Sequence, residues 1–89
     1  MVKLNIEGRV DATNAGEFQT AVLNAFQKGT NVIIDMKDLV YISSAGLRAL
    51  LIGQKTAKSK NGSQKLINVC PLVKNIFKMT GFADVLIIE

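Results

Sequence analysis

The 89-residue chain has no histidine and no tryptophan, one cysteine, one proline and only 6% aromatic residues. Without histidine it lacks the commonest general base, the commonest metal ligand and any serine–histidine relay. Cys70 stands alone, so no internal disulfide can close and no cysteine metal cluster can assemble. It reads as a small apolar residue at the end of a strand. No stretch approaches the roughly 20 apolar residues of a membrane span, and the opening Met-Val-Lys-Leu-Asn has no signal-peptide pattern. The protein is therefore expected in the cytoplasm, without membrane insertion. Gly-x-Ser-x-Gly, Walker and Gly-x-Gly-x-x-Gly sequences are missing as well. Catalysis has little to stand on, and neither a cofactor nor a metal is expected.

The residues present suit one globular domain spanning 1–89. Apolar residues make up 48% of the chain, enough for a core that buries above ~60% of the unfolded surface without staples. Eleven basic against seven acidic residues give a net charge of +4, with a local concentration at Lys55, Lys58, Lys60 and Lys65. No aromatic residues interleave with these lysines, so they read as a solvated helix face whose cations complement the helix dipole, and nucleic-acid contact is not expected.

Strand and helix patterns alternate from end to end. Val2, Leu4 and Ile6 alternate with Lys3, Asn5 and Glu7, which predicts a half-buried strand over Val2–Val10. A helix opens after Asp11, with Asn14 and Glu17 spaced like a capping box, an apolar face of Phe18, Val22, Ala25 and Phe26, and a left-handed stop at Gly29. A second strand is predicted over residues 31–36. The chain then passes through the short apolar run Leu39–Ile42 into a helix starting near Ser44, with Leu47, Leu50, Leu51 and Ala57 inward and Asn61-Gly62 at its close. Gly53 in mid-helix implies a close approach by another element, since glycine there costs about 1 kcal/mol against alanine. A third strand is predicted over residues 64–69, a third helix from Cys70-Pro71 with Leu72, Val73, Ile76 and Phe77 inward and Gly81 at its end, and a last strand over residues 85–88.

The order β-α-β-α-β-α-β predicts an α/β fold with a four-stranded, mainly parallel sheet packed with helices. Loops 11–14, 42–45 and 69–71 leave the carboxyl ends of the strands and should gather at one edge, where open α/β sheets keep their sites. Two adjacent hydroxyls, Ser43 and Ser44, fall at the start of the middle helix, where backbone N–H groups lack intrahelical partners and favour an anion. A serine there can cap the helix or accept a phosphate.

Three blocks in order, Gly8-Arg9-Val10-Asp11, then Leu39-Val-Tyr-Ile-Ser-Ser-Ala-Gly-Leu-Arg, then Cys70-Pro-Leu-Val-Lys-Asn-Ile-Phe-Lys-Met-Thr-Gly-Phe, resemble the STAS domain. In particular they are similar to stand-alone bacterial anti-sigma factor antagonists. The resemblance implies a regulatory protein, not an enzyme. Such a protein binds an anti-sigma factor that is also a serine kinase, is switched off when that kinase phosphorylates a loop serine, and is restored by a phosphatase. Aligned on Gly46-Leu47, Ser44 falls on the phosphoserine position. Ser43 stands where many antagonists have aspartate and is the alternative site. Asp11 falls on an acidic residue of the partner surface, and Arg48, one turn beyond Ser44, could meet a partner carboxylate or the phosphate. The family usually begins with one more strand, which this chain lacks. Its first strand would then have an exposed edge, through which two copies could pair weakly. The competing expectation is a soluble STAS subunit of a membrane lipid-transport complex, in which Ser44 would only cap the helix.

Overall fold

The computed structural model describes residues 1–89 and contains a four-stranded, all-parallel sheet in the order β1-β2-β3-β4. The elements are β1 (Val2–Val10), α1 (Ala15–Lys28), β2 (Asn31–Ile42), α2 (Ser44–Ser59), β3 (Ser63–Ile67), α3 (Pro71–Thr80) and β4 (Ile87–Ile88). The predicted α/β class and its four parallel strands are present. β1 keeps the two-residue alternation the sequence implied, with Val2, Leu4 and Ile6 half-buried and Lys3, Asn5 and Glu7 exposed. Val32, Ile34 and Leu66 are fully buried in register with Val2 and Leu4, so one face of the sheet carries the main core. α1 and α2 pack against each other and close that core with Phe18, Val22, Phe26, Leu47 and Leu50.

β2 is one strand of twelve residues, not a strand to Met36 followed by a separate run. Its polar Lys37-Asp38 interrupts the apolar pattern. There, and again before Tyr41, β2 carries an extra residue relative to β1. Each bulge resets the alternation, which is why the apolar pattern looks broken when the backbone is continuous. β4, conversely, is shorter than expected. A 3₁₀ turn takes Phe82–Asp84, and Leu86 N–H donates to Phe82 O, leaving only Ile87 and Ile88 to pair with β3.

The helix ends also differ from expectation. Asn14 precedes α1 but makes no side-chain cap; its Oδ1 accepts from Asp11 N–H at 2.8 Å and its Nδ2 donates to Arg9 O at 2.9 Å. The capping box with Glu17 therefore does not form. Gly29 is extended (φ −175°), not left-handed, and its lack of a side chain leaves room for Val2, whose Cγ2 would lie 3.0 Å from an added Cβ. Gly81, by contrast, does end α3 in the left-handed region at φ 81°. Leu51 is only half-buried, and Leu72 is exposed on the first turn of α3 instead of facing inward. Among the clustered lysines, Lys60 Nζ donates to Phe26 O at 2.7 Å and Lys65 pairs with Glu89 at 3.3 Å.

Candidate functional site

Val10 and Ile42 are partners at the carboxyl ends of β1 and β2, and Ser43 N–H donates to Val10 O at 2.8 Å. That bond sets Asp11 and Ser43 side by side where the two chains leave the sheet. Ser43 is the residue that caps α2. Its backbone is extended, its Oγ accepts from Gly46 N–H at 3.4 Å, and its carbonyl accepts from Leu47 N–H at 2.9 Å. The capping role weighed for Ser44 thus falls to its neighbour. Ser44 is the first residue of the helix, is exposed, and is left without a structural task.

The first turn of α2 is held from below. Gly46 is buried, and a Cβ there would lie 2.6 Å from Ile42 Cγ1 and 2.8 Å from Val10 Cγ1. Any larger residue would force Ile42, Val10 or the helix start itself to shift. The backbone at Ser44 is therefore fixed by packing beneath it while its side chain faces solvent. Arg48, one turn on, is exposed and belongs to no ion pair within the chain.

Asp11 is anchored by its own loop. Its carboxylate accepts from the Thr13 hydroxyl and, at 2.9 Å, from Thr13 N–H, and Arg9 Nε lies 3.4 Å from Oδ2. The Thr13 hydroxyl and N–H, followed by the Arg9 charge, hold the Asp11 carboxyl below the ordinary aspartate value. The same guanidinium lies 5.0 Å over the Tyr41 ring, so Tyr41, Arg9 and Asp11 form a chain of contacts across the ends of β1 and β2. Arg9, Thr13 and Tyr41 were not singled out from the sequence. Thr13 acts through a local turn, two residues beyond Asp11, whereas the stacking of Arg9 on Tyr41 arises from the register of the two strands, which no local pattern encodes.

The structure thus gathers Asp11, Ser43 and Ser44 on one rim with Arg48 a turn away. Cys70 lies half-buried at the start of α3, its Sγ 3.5 Å from Leu39 O. The two surface grooves, of about 490 and 210 Å³, run along β1, and neither is lined by Ser43, Ser44, Asp11 or Arg48. No helix is long and apolar enough to cross a membrane. A flat rim of polar side chains on a rigid base is suited to meeting another protein rather than enclosing a small molecule.

This chain belongs to the STAS domain family, whose model matches residues 1–89. It is 32% identical over 81 residues to a protein named as the anti-sigma factor antagonist BtrV of Bordetella bronchiseptica, an alignment covering 90% of this chain and 70% of that protein. It is 29% identical over 85 residues to the anti-sigma-B factor antagonist of Bacillus subtilis, covering 96% and 78%. The fold matches the crystal structure of an anti-sigma factor antagonist from Mycobacterium paratuberculosis with a TM-score of 0.84, at 16% identity over 98% of this chain and 74% of the other.

Proposed function

We propose that this protein is an anti-sigma factor antagonist whose rim docks onto an anti-sigma factor carrying serine-kinase activity, and that phosphorylation of Ser44 releases it. The kinase would transfer the γ-phosphoryl group of ATP to Ser44 Oγ, leaving ADP, and a phosphatase would hydrolyse the ester to restore docking. The protein would act in the cytoplasm, where sigma factors work. The observation that carries this reading is the division of labour between the two serines. Ser43 caps the helix, so the exposed Ser44 hydroxyl can be modified without undoing the fold.

The physics of the switch follows from the position. A phosphoserine brings about −1.5 to −2 charges and three strong acceptor oxygens. At the first helical residue the free N–H groups and the dipole favour that charge, so the domain stays folded. The cost falls on the partner, which would have to desolvate the phosphate and accommodate its volume beside any acidic groups facing Asp11 and Ser44. Weakening a complex a thousandfold needs only about 4 kcal/mol. Arg9 is already engaged by Asp11 and Tyr41, which leaves Arg48 as the basic side chain of the rim free to pair across the interface.

The test is incubation with the cognate kinase and ATP, with the modified residue located by mass spectrometry and binding followed by calorimetry. Label is expected on Ser44. Ser44→Asp should bind the anti-sigma factor much more weakly, and Ser44→Ala should bind and resist release by ATP. Label confined to Ser43, or parental binding by both Ser44 variants, would remove this assignment.

A further inference from the structure

β1 stands at one end of the strand order and pairs only with β2. Its outer edge leaves backbone N–H and C=O groups without partners in the chain, the usual template for adding another strand. Both register shifts place their extra residue on β2, so β1 itself stays regular from Val2 to Glu7. Val2, Leu4 and Ile6 on the core side are only half-covered, although their neighbours Val32 and Ile34 are fully buried. Lys3, Asn5 and Glu7 are exposed on the opposite face.

We propose that this edge pairs with the same edge of a second copy, antiparallel and centred on Asn5, about a two-fold axis perpendicular to the sheet. In that register Lys3 of each copy lies opposite the partner's Glu7, Leu4 opposite the partner's Ile6, and Asn5 opposite the partner's Asn5. The opposed charges sit on the open face and the opposed aliphatic residues on the core face, which extends the half-covered row of Leu4 and Ile6 across the axis. Neighbouring registers are worse. Centring on Ile6 sets Lys3 against Arg9 and Leu4 against Gly8, and centring on Leu4 leaves Lys3 opposite Asn5 and Glu7 opposite Met1. Like charges directly opposite destabilise a strand pair and unlike charges support it. Of the registers centred on Leu4, Asn5 and Ile6, only the one on Asn5 sets unlike charges opposite each other.

Pairing of this kind joins two four-stranded sheets into one. Because the two β1 strands run in opposite directions, their carboxyl ends point away from each other. The two Ser44 rims then lie at opposite ends of the dimer, and both stay open. The pairing neither requires nor disturbs the phosphorylation switch, and its test is separate from that one.

Sedimentation equilibrium of the intact chain, from micromolar to millimolar, should show a reversible dimer. Lys3→Glu or Glu7→Lys alone replaces two attractive cross-strand pairs with two repulsive ones and should weaken the dimer by about tenfold or more. Mixing the two variants, or combining both changes in one chain, should restore it. Within a single chain Lys3 and Glu7 lie about 13 Å apart along the strand, so rescue reads a contact between copies. Lys3 also pairs with Asp35 at 3.4 Å, a bond that mixing cannot repair. Asn5→Cys, in a Cys70→Ala background, should oxidise to a disulfide-linked dimer because residue 5 meets itself at the axis. Ser44→Asp should leave the dimer unchanged. A parent that remains monomeric at millimolar concentration, reversals without effect or without rescue, or no cross-link at position 5 would each overturn the proposal.

Discussion

Along α2, the middle turn and the first turn meet their surroundings in opposite ways. In the middle, Gly53 lies so close to α1 and β3 that a Cβ would sit 2.0 Å from Gln64 Oε1 and 2.7 Å from Val22 Cγ1. Gln64 is itself buried there, with Nε2 donating to Leu50 O at 3.0 Å and Oε1 left without a partner. At the first turn only the inner side is tight, at Gly46, while Ser44 and Arg48 on the outer side meet solvent. One helix thus holds a seam that tolerates no added volume and a rim that tolerates it freely. A charge added on the rim would change what can dock there without reaching the core.

The strongest way to break this contrast is to add volume at both places. Gly53→Val should cost about 3 kcal/mol, since overpacking a tight core displaces Val22 or Gln64. Urea denaturation should report it as a lower midpoint with an unchanged slope. Ser44→Asp, which adds both volume and charge at the rim, should stay within about 0.5 kcal/mol of the parent. Equal losses in the two variants would mean that the rim is coupled to the core after all.

A smaller effect separates the two serines. Ser43→Ala removes the acceptor for Gly46 N–H and should cost about 0.5–1 kcal/mol, at the low end for a cap because the bond is 3.4 Å long. Ser44→Ala should cost less than about 0.5 kcal/mol. Paired urea titrations check the order. Reversal of the two would exchange the serines' roles and weaken the case for Ser44 as the switch.

The same contrast explains what could be read from the chain in advance. Gly53 was legible because an interior helix glycine has few reasons other than close approach, and Gln64 and Val22 supply that approach. β1 was legible because its alternation is regular, and α3 because Pro71 and Gly81 bracket it. The rim residues Ser43, Ser44 and Asp11 could be placed by topology, since parallel strands send their loops to one edge. What could not be read depended on partners distant in sequence. The bulges that fuse β2 into one strand exist only relative to β1, and Arg9 stacks on Tyr41 only because of that register. Asn14 has the composition of a cap, yet the Asp11 loop claims its side chain instead. Leu72 reads as inward by helical spacing, but the core under α3 is completed by Val73 and Phe77, and Leu72 stays in solvent.

The smallest expected effect is electrostatic, and it sets the rim beside the open face of the sheet. Asp11 on the rim is held below the ordinary aspartate value first by the Thr13 hydroxyl, then by Thr13 N–H and Arg9. Asp35, on the face that α1 and α2 leave uncovered, is lowered first by Lys37 N–H, then by the Asn68 amide and Lys3. In both cases the folded state favours the carboxylate, so the unfolded chain binds protons more readily. Stability from these groups is fully present above the unfolded aspartate value near 3.9 and is lost as pH falls through the lower folded value. Asp11→Asn should therefore be less stable than the parent at pH 7, and the gap should narrow as pH drops below about 4. Asp35→Asn should behave in the same way, and carboxyl-carbon titrations by NMR should place both midpoints below the ordinary aspartate value. Only the Asp11 change should also weaken docking of the anti-sigma factor, because only that carboxylate lies beside Ser43 at the mouth of α2. If Asp35→Asn weakens docking equally, the partner reaches across the open face and the rim is not the whole of its footprint.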